Sequence, residues 1–184
     1  MRKLKSALLY TALAVVANTA IADDIADLRE GDMRKLNFLS EPIAAPDTPF
    51  VGEDGAEMTL AAYEGQYVVL NFWATWCAPC RQEMPHLAAL QTAFEGDDVQ
   101  IVTIATGRNP LPAMQRFFAE IEVDNLPLHT DARQTLARSM GVLGLPVTMI
   151  LDPDGNEIAR LQRDADWGSD SAKAILRALA DQNS

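Results

Sequence analysis

The two cysteines of the chain constrain its fold more than any other feature, because they stand between a buried strand and a helix. Cys77 and Cys80 are the only cysteines among the 184 residues. The run Tyr67–Trp73 before them is almost continuously apolar, which is typical of a strand buried on both faces of a central sheet. After them, apolar residues recur at helical spacing as far as Phe94. The sequence therefore predicts an α/β fold with both cysteines at a strand-to-helix junction.

The spacing of the cysteines indicates reversible redox chemistry. Three residues apart at a helix start, their Cα atoms come within about 6 Å, the range a disulfide needs. Such a bond closes a very small loop, so it restricts the unfolded chain little and an inert structural disulfide is the weaker alternative. The helix dipole and the first-turn N–H groups favour an anion at Cys77, so we expect a lowered pKa and a nucleophilic thiolate there. Cys80 lies one turn further in and is suited to resolve a mixed disulfide.

The first 22 residues are typical of a secretory signal peptide. They begin with basic residues, continue through an apolar stretch too short to span a membrane, and end in Ala20-Ile21-Ala22, a small-x-small cleavage pattern. The alternative is an uncleaved N-terminal anchor in the membrane. In either case the folded part is exported to a compartment where disulfides form.

Two further segments follow the leader. Residues 23–43 predict a short amphipathic helical extension, and residues 44–184 a single domain. The domain begins with a β-hairpin around the turn Gly52-Glu53-Asp54-Gly55, and a second hairpin surrounds Asp152–Asn156. Between and after them we expect strands and helices in alternation, with strands at 99–105, 126–129, 147–151 and 157–161, and helices at 111–121, 132–140 and 170–180. This order predicts a mixed central β-sheet with helices on both faces.

The composition excludes some classes of function. The chain carries 15 Lys and Arg against 26 Asp and Glu, a formal charge of −11. This acidity argues against nucleic acid as a partner and against an anionic membrane surface. Only two histidines are present, which argues against a histidine-rich zinc site, and no second cysteine pair exists to complete a four-cysteine one.

The segment NFWATWCAPCRQEMP resembles the active-site segment of thioredoxin-fold proteins, specifically the exported TlpA/ResA/CcmG-like group. The resemblance continues through GVLGLPVT at 141–148 and DPDG at 152–155, and covers residues 44–180. The late segment ADW at 165–167 makes TlpA the most similar. This resemblance implies a thioredoxin fold and a periplasmic thiol–disulfide oxidoreductase whose redox-active disulfide is its only redox group, with no cofactor and no metal.

The resemblance also implies roles for individual residues. In this family the proline before the hairpin strand, here Pro146, is cis and faces the cysteines, so that Leu145 can pair with an extended substrate. Glu83 corresponds to a glutamate that moves protons, and its alternative is a solvated carboxylate paired with Arg81. Cytoplasmic thioredoxins carry a buried aspartate where this chain has Asn71, so a proton relay here depends on Glu83 or water. The predicted catalytic residues are Cys77, Cys80 and Glu83, and the predicted substrate-binding residues are Trp76, Ala78, Pro79, Leu145 and Pro146.

Reduction of partner disulfides is the favoured direction, because Ala78-Pro79 lacks the histidine that the resembled oxidants place between their cysteines. The implied partners are a copper chaperone, an oxidase subunit or an apocytochrome c as clients, in copper-centre or cytochrome c assembly. A membrane reductant of the CcdA/DsbD type would regenerate the dithiol.

Two other functions remain open. A copper-handling protein could hold Cu(I) on the same dithiol, since thiolates are good ligands for it. His129 could add a ligand, although a solvated loop histidine is the simpler interpretation. A peroxidase is disfavoured, because the resembled enzymes have a threonine where this chain has Ala74.

Overall fold

The computed structural model describes residue 25 and residues 27–183. The strands of this part are β1 (Asn37–Ala44), β2 (Phe50–Val51), β3 (Glu57–Met58), β4 (Tyr67–Trp73), β5 (Val99–Thr106), β6 (His129–Asp131), β7 (Val147–Leu151) and β8 (Asn156–Gln162). Its α-helices are α1 (Ala78–Ala93), α2 (Leu111–Glu120), α3 (Thr135–Ser139) and α4 (Asp170–Ala180). The predicted signal peptide, residues 1–22, lies outside the described residues. Within them, no helix combines the length and apolarity needed to cross a membrane.

One mixed sheet forms the centre, in the order β1-β8-β7-β4-β5-β6-β2-β3. The central strand β4 is buried along its whole length and runs parallel to β5 but antiparallel to β7. Because side chains alternate across a strand, Val69 and Trp73 face α1, α2 and α4, whereas Leu70 and Phe72 face α3. The prediction of a mixed sheet with helices on both faces is confirmed.

The N-terminal extension departs from the prediction. A short 3₁₀ helix, Gly31–Lys35, is followed by strand β1, so a helix is wrong for residues 37–43. β1 pairs antiparallel with β8, and it covers what would otherwise be an open edge of the sheet. Pro42 is compatible with this place because an edge strand tolerates a missing N–H. The backbone bonds to β8, more than 100 residues away, override the local helical pattern.

The predicted N-terminal hairpin is confirmed as β2 and β3, which extend the opposite edge of the sheet. The strand predicted at 126–129 lies instead at His129–Asp131, and the helix predicted at 132–140 is shorter. Asp131 explains the late helix start, because its carboxylate accepts hydrogen bonds from the backbone N–H groups of Thr135 and Ala137.

Candidate active site

The two cysteines form a disulfide at the N-terminus of α1. The S–S distance is 2.02 Å and the Cα atoms are 5.3 Å apart. Cys77 is the N-cap of the helix, and its Sγ accepts a hydrogen bond of 3.3 Å from the backbone N–H of Cys80. Cys77 is 5% exposed and Cys80 fully buried. Cys77 is thus the sulfur that an incoming disulfide can reach first.

The turn that leads into the disulfide is held by a residue that the sequence analysis did not identify. Asn109, in the loop after β5, accepts hydrogen bonds from the backbone N–H and the hydroxyl of Thr75, at 2.8 and 3.0 Å. Its amide donates to the carbonyl of Thr106, which ties the loop to the sheet. The one indication of this role in the sequence is the position of an asparagine just after a buried strand. Asn109 fixes the backbone immediately before Trp76.

The two tryptophans of this segment have opposite environments. Trp73 is buried, as predicted, and its ring lies against Phe117 and Phe118. Trp76 is 67% exposed and therefore lies outside the core. Its ring is available to a docking partner directly beside the disulfide.

A shallow groove of about 280 Å³ runs beside Trp76. The loop before β7 forms its other side, and Leu143 in this loop is 99% exposed. The peptide bond between Leu145 and Pro146 is cis, as predicted. The lining residues are Trp76, Thr106, Gln134, Ala137, Arg138 and 142–145. The groove brings Trp76 and Leu145 of the predicted substrate-binding set together, and Ala78 and Pro79 lie at the surface between the cysteines.

Glu83 is buried, which excludes the alternative of a solvated carboxylate. Its side chain lies one helical turn beyond Cys80 and the residue is 1% exposed. Oε2 accepts a hydrogen bond of 2.9 Å from the Asn71 amide, and Oε1 one of 2.9 Å from the indole N–H of Trp167. Arg81 turns the other way, to Glu120.

Burial raises the pKa of Glu83 to about 8, from an ordinary value of 4.5. The hydrogen bonds from Trp167, Asn71 and the Ala165 backbone oppose this effect, whereas the Asp164 carboxylate adds to it. At neutral pH the carboxyl group therefore carries a proton when the disulfide is closed.

The hydrogen bonds around Glu83 include residues, Thr148 and Trp167, whose role the sequence does not indicate. The Asn71 amide also donates to the hydroxyl of Thr148 on β7, at 2.9 Å, while Asn71 Oδ1 has no hydrogen-bond partner in the described part of the chain. In the sequence, Trp167 stands out only as part of the segment ADW, which resembles TlpA. Its contact with Glu83 joins residues 84 positions apart, which no local pattern indicates.

His129 is buried rather than solvated, so that expectation is wrong. Its Nε2 lies 2.8 Å from the Tyr63 hydroxyl, and its ring contacts Phe50. Burial lowers the pKa of His129, which keeps the ring neutral at physiological pH. Among the residues that the structure describes, no three His, Cys, Asp or Glu side chains form a group suited to a metal ion.

Comparisons with known proteins agree with this site. The family model described as the AhpC/TSA family matches residues 43–158. The thiol–disulfide oxidoreductase ResA of Geobacillus kaustophilus is 30% identical over 161 residues, 84% of this chain and 86% of that protein. ResA of Geobacillus thermodenitrificans is 34% identical over 125 residues, 65% of this chain and 71% of that protein.

Solved structures with a similar fold also include thiol–disulfide proteins. A protein of Chlorobium tepidum described as a thiol:disulfide interchange protein DsbE superposes with a TM-score of 0.66 at 25% identity, covering 77% of this chain and 99% of that one. The DsbF protein of MTB superposes with a TM-score of 0.62 at 26% identity, covering 72% and 95%. The predicted thioredoxin fold is thereby confirmed, and a likeness to TlpA in particular stays a prediction.

Proposed function

Because the chain belongs to the AhpC/TSA family and is a thiol–disulfide oxidoreductase, we propose that it acts as a periplasmic reductant of specific partner disulfides. The observation that carries this proposal is the Cys77–Cys80 disulfide at the N-terminus of α1, with the buried carboxyl group of Glu83 one turn further on. A disulfide, a nucleophile position and a proton acceptor are thus placed on one helix.

The first step is an attack by Cys77. In the reduced protein, the Cys80 backbone N–H and the helix dipole stabilise the Cys77 thiolate. The thiolate attacks one sulfur of the client disulfide. A bond forms between Cys77 and the client, the client disulfide breaks, and its second sulfur leaves as a thiolate.

The second step releases the client and uses Glu83. Cys80 is buried, so its thiol needs a nearby group to take its proton. Glu83 takes that proton, and the Cys80 thiolate attacks the Cys77 sulfur. The mixed disulfide breaks, the client's remaining sulfur leaves as a thiolate, and two electrons have passed to the client. The raised pKa of Glu83 in the disulfide form fits this order, since Glu83 ends the step protonated.

The groove beside Trp76 supplies the docking surface for the client. An extended client segment would pair with the backbone at Leu145, next to the cis Pro146, by strand addition. Ala78 and Pro79 would contact the client between the cysteines, and Trp76 would cover an apolar side chain of it.

Direction and partners follow from the resemblance rather than from geometry. The dipeptide Ala78-Pro79 carries no group that would favour an oxidant. The clients we propose are a copper chaperone, an oxidase subunit or an apocytochrome c, in copper-centre or cytochrome c assembly. A membrane thiol reductant of the CcdA/DsbD type would return the disulfide to the dithiol.

The reduction potential of the Cys77–Cys80 pair tests the direction. Equilibration against thiol buffers, read by tryptophan fluorescence, is expected to give about −200 mV or lower. The Cys77→Ser variant, which cannot form the disulfide, is the control and should show no transition. A value near about −120 mV, at the oxidising end of the scale, would make the protein a disulfide donor. The Cu(I) alternative stays a prediction that a copper titration of the same dithiol addresses.

A further inference from the structure

We propose that Trp167 is a positioning residue for Glu83, whose indole N–H fixes Oε1 as an acceptor and thereby places the carboxyl proton on Oε2. This inference deepens the proposed function, since its catalytic meaning rests on Glu83 as the proton acceptor. Trp167 lies in the segment between β8 and α4, far along the sequence from Cys77 and Cys80.

The argument begins with what an indole can do. Its N–H donates a hydrogen bond and offers no acceptor. The Trp167 Nε1 to Glu83 Oε1 distance is 2.9 Å, and both residues are buried away from water. A proton on Oε1 would oppose this donor and leave a buried N–H unsatisfied, which is costly. Oε1 therefore stays unprotonated in both states of Glu83.

Asn71 completes the arrangement at the other oxygen. Its amide donates to Oε2 and to the hydroxyl of Thr148, which suits an ionised Glu83. When Oε2 carries a proton, turning the amide by half a rotation brings Asn71 Oδ1 to that proton and to the Thr148 hydroxyl. Each orientation makes two hydrogen bonds and leaves one amide atom unpaired, as Oδ1 is here. Asn71 can follow the proton, whereas Trp167 cannot.

The segment that carries Trp167 is held from outside by the N-terminal segment. The Asp166 backbone N–H donates to the Asp32 carboxylate at 3.2 Å. The Lys35 ammonium donates to the carbonyl of Asp164 at 3.3 Å. The Ser171 hydroxyl donates to the carbonyl of Leu28 at 2.7 Å. These contacts tie the segment and the start of α4 to the N-terminal residues, which limits the movement of the indole.

Few charged groups act on Glu83. Asp164, from the same segment as Trp167, raises its pKa, whereas β4 and β7 present the neutral side chains of Asn71 and Thr148. On α1 itself, His86 lies 3.7 Å from the carboxylate of Asp166 and Arg81 is paired with Glu120. Among these groups, Glu83 is the one whose side chain contacts the Trp167 indole directly.

The unmodified protein gives the first test. The chain has three tryptophans, and their indole N–H signals can be followed by NMR in the disulfide form, where the cysteines do not titrate. We expect the Trp167 signal to move with a midpoint near pH 8, and this movement to be absent in Glu83→Gln. The Trp73 and Trp76 signals should stay in place. A Trp167 signal that does not move between pH 6 and 10 would overturn the inference.

A matched pair of variants gives the second test. Trp167→Phe removes a donor that stabilises the ionised carboxylate more than the neutral acid, so the Glu83 carboxyl ¹³C signal should titrate about one pH unit higher. Trp73→Phe removes a buried indole whose N–H has no partner within the described residues, and should leave that midpoint unchanged. Equal midpoints in both variants would refute the positioning role. If the midpoint shifts but Glu83→Gln keeps the exchange profile of the parent protein, Trp167 still positions Glu83 and only the proposed role of Glu83 fails.

Discussion

Replacing Glu83 by Gln should change how the stability of the disulfide form depends on pH. The pKa of Glu83 is raised to about 8 in the folded protein and takes its ordinary value of 4.5 when the chain unfolds. Between these two values the folded protein holds a proton that the unfolded chain has lost. Stability therefore falls as pH rises through this window, and it levels off above pH 8.

The magnitude follows from the difference between the two pKa values. They differ by roughly 3.5 pH units, and one unit corresponds to about 1.36 kcal/mol, so the full effect is about 5 kcal/mol. Between pH 5 and pH 8.5, the contribution of Glu83 to the free energy of unfolding falls by about 4 kcal/mol. The glutamine introduced by Glu83→Gln would be neutral at every pH, and its carbonyl oxygen could accept the hydrogen bond from the Trp167 indole N–H. Its amide would donate to Asn71 after the Asn71 amide turns.

Urea unfolding of both proteins at pH 5 and pH 8.5, with the disulfide intact, measures this difference. The free energy of unfolding of the parent protein should fall by about 4 kcal/mol more than that of Glu83→Gln. Glu120→Gln, at an exposed position on α2, is the control and should follow the parent protein. Parallel pH dependences for Glu83→Gln and its parent would show that Glu83 is ionised in the folded state.

Two predictions concern the exchange itself. Cys80→Ser should accumulate mixed disulfides with client proteins, because Cys77 can attack but no second thiol resolves the product. Cys77→Ser should trap no client. If Cys77→Ser alone trapped clients, the roles of the two cysteines would be reversed. Leu143→Ser should lower kcat/KM for a protein client about five- to tenfold, because burying an apolar side chain contributes roughly 2 kcal/mol and part of this is lost. The same variant should reduce a small aromatic disulfide as fast as the parent protein. Leu111→Ser, exposed on α2 outside the groove, should match the parent protein, and an equal loss in both variants would remove the groove from recognition.

The site divides into a part that local sequence determines and a part that it does not. Cys77 and Cys80 depend on one strand and the helix that follows it, so their disulfide, their order of burial and the start of α1 were predictable. The cis bond before Pro146 was predictable from a resemblance to a family, and not from periodicity.

The environment of Glu83 was not predictable in the same way. Its position on the helix face of Cys80 was visible, but its burial depends on Trp167 and on the segment that packs over α1. Strand β1 escaped prediction for the same reason, since its partner β8 lies far along the chain. Where a contact joins distant residues, hydrophobic periodicity carries no information about it.

The placement of β1 and β2 at the two outer regions of the sheet has a consequence for the order in which the protein folds. β1 requires β8, with Asn37 opposite Arg160, and the hairpin of β2 and β3 joins the rest of the sheet through β6, with Val51 opposite Thr130. Contacts between residues so far apart close large loops, and such contacts slow folding. Strand β1 thus stays without its partner, and the hairpin of β2 and β3 without its place in the sheet, until the C-terminal third of the chain has been made.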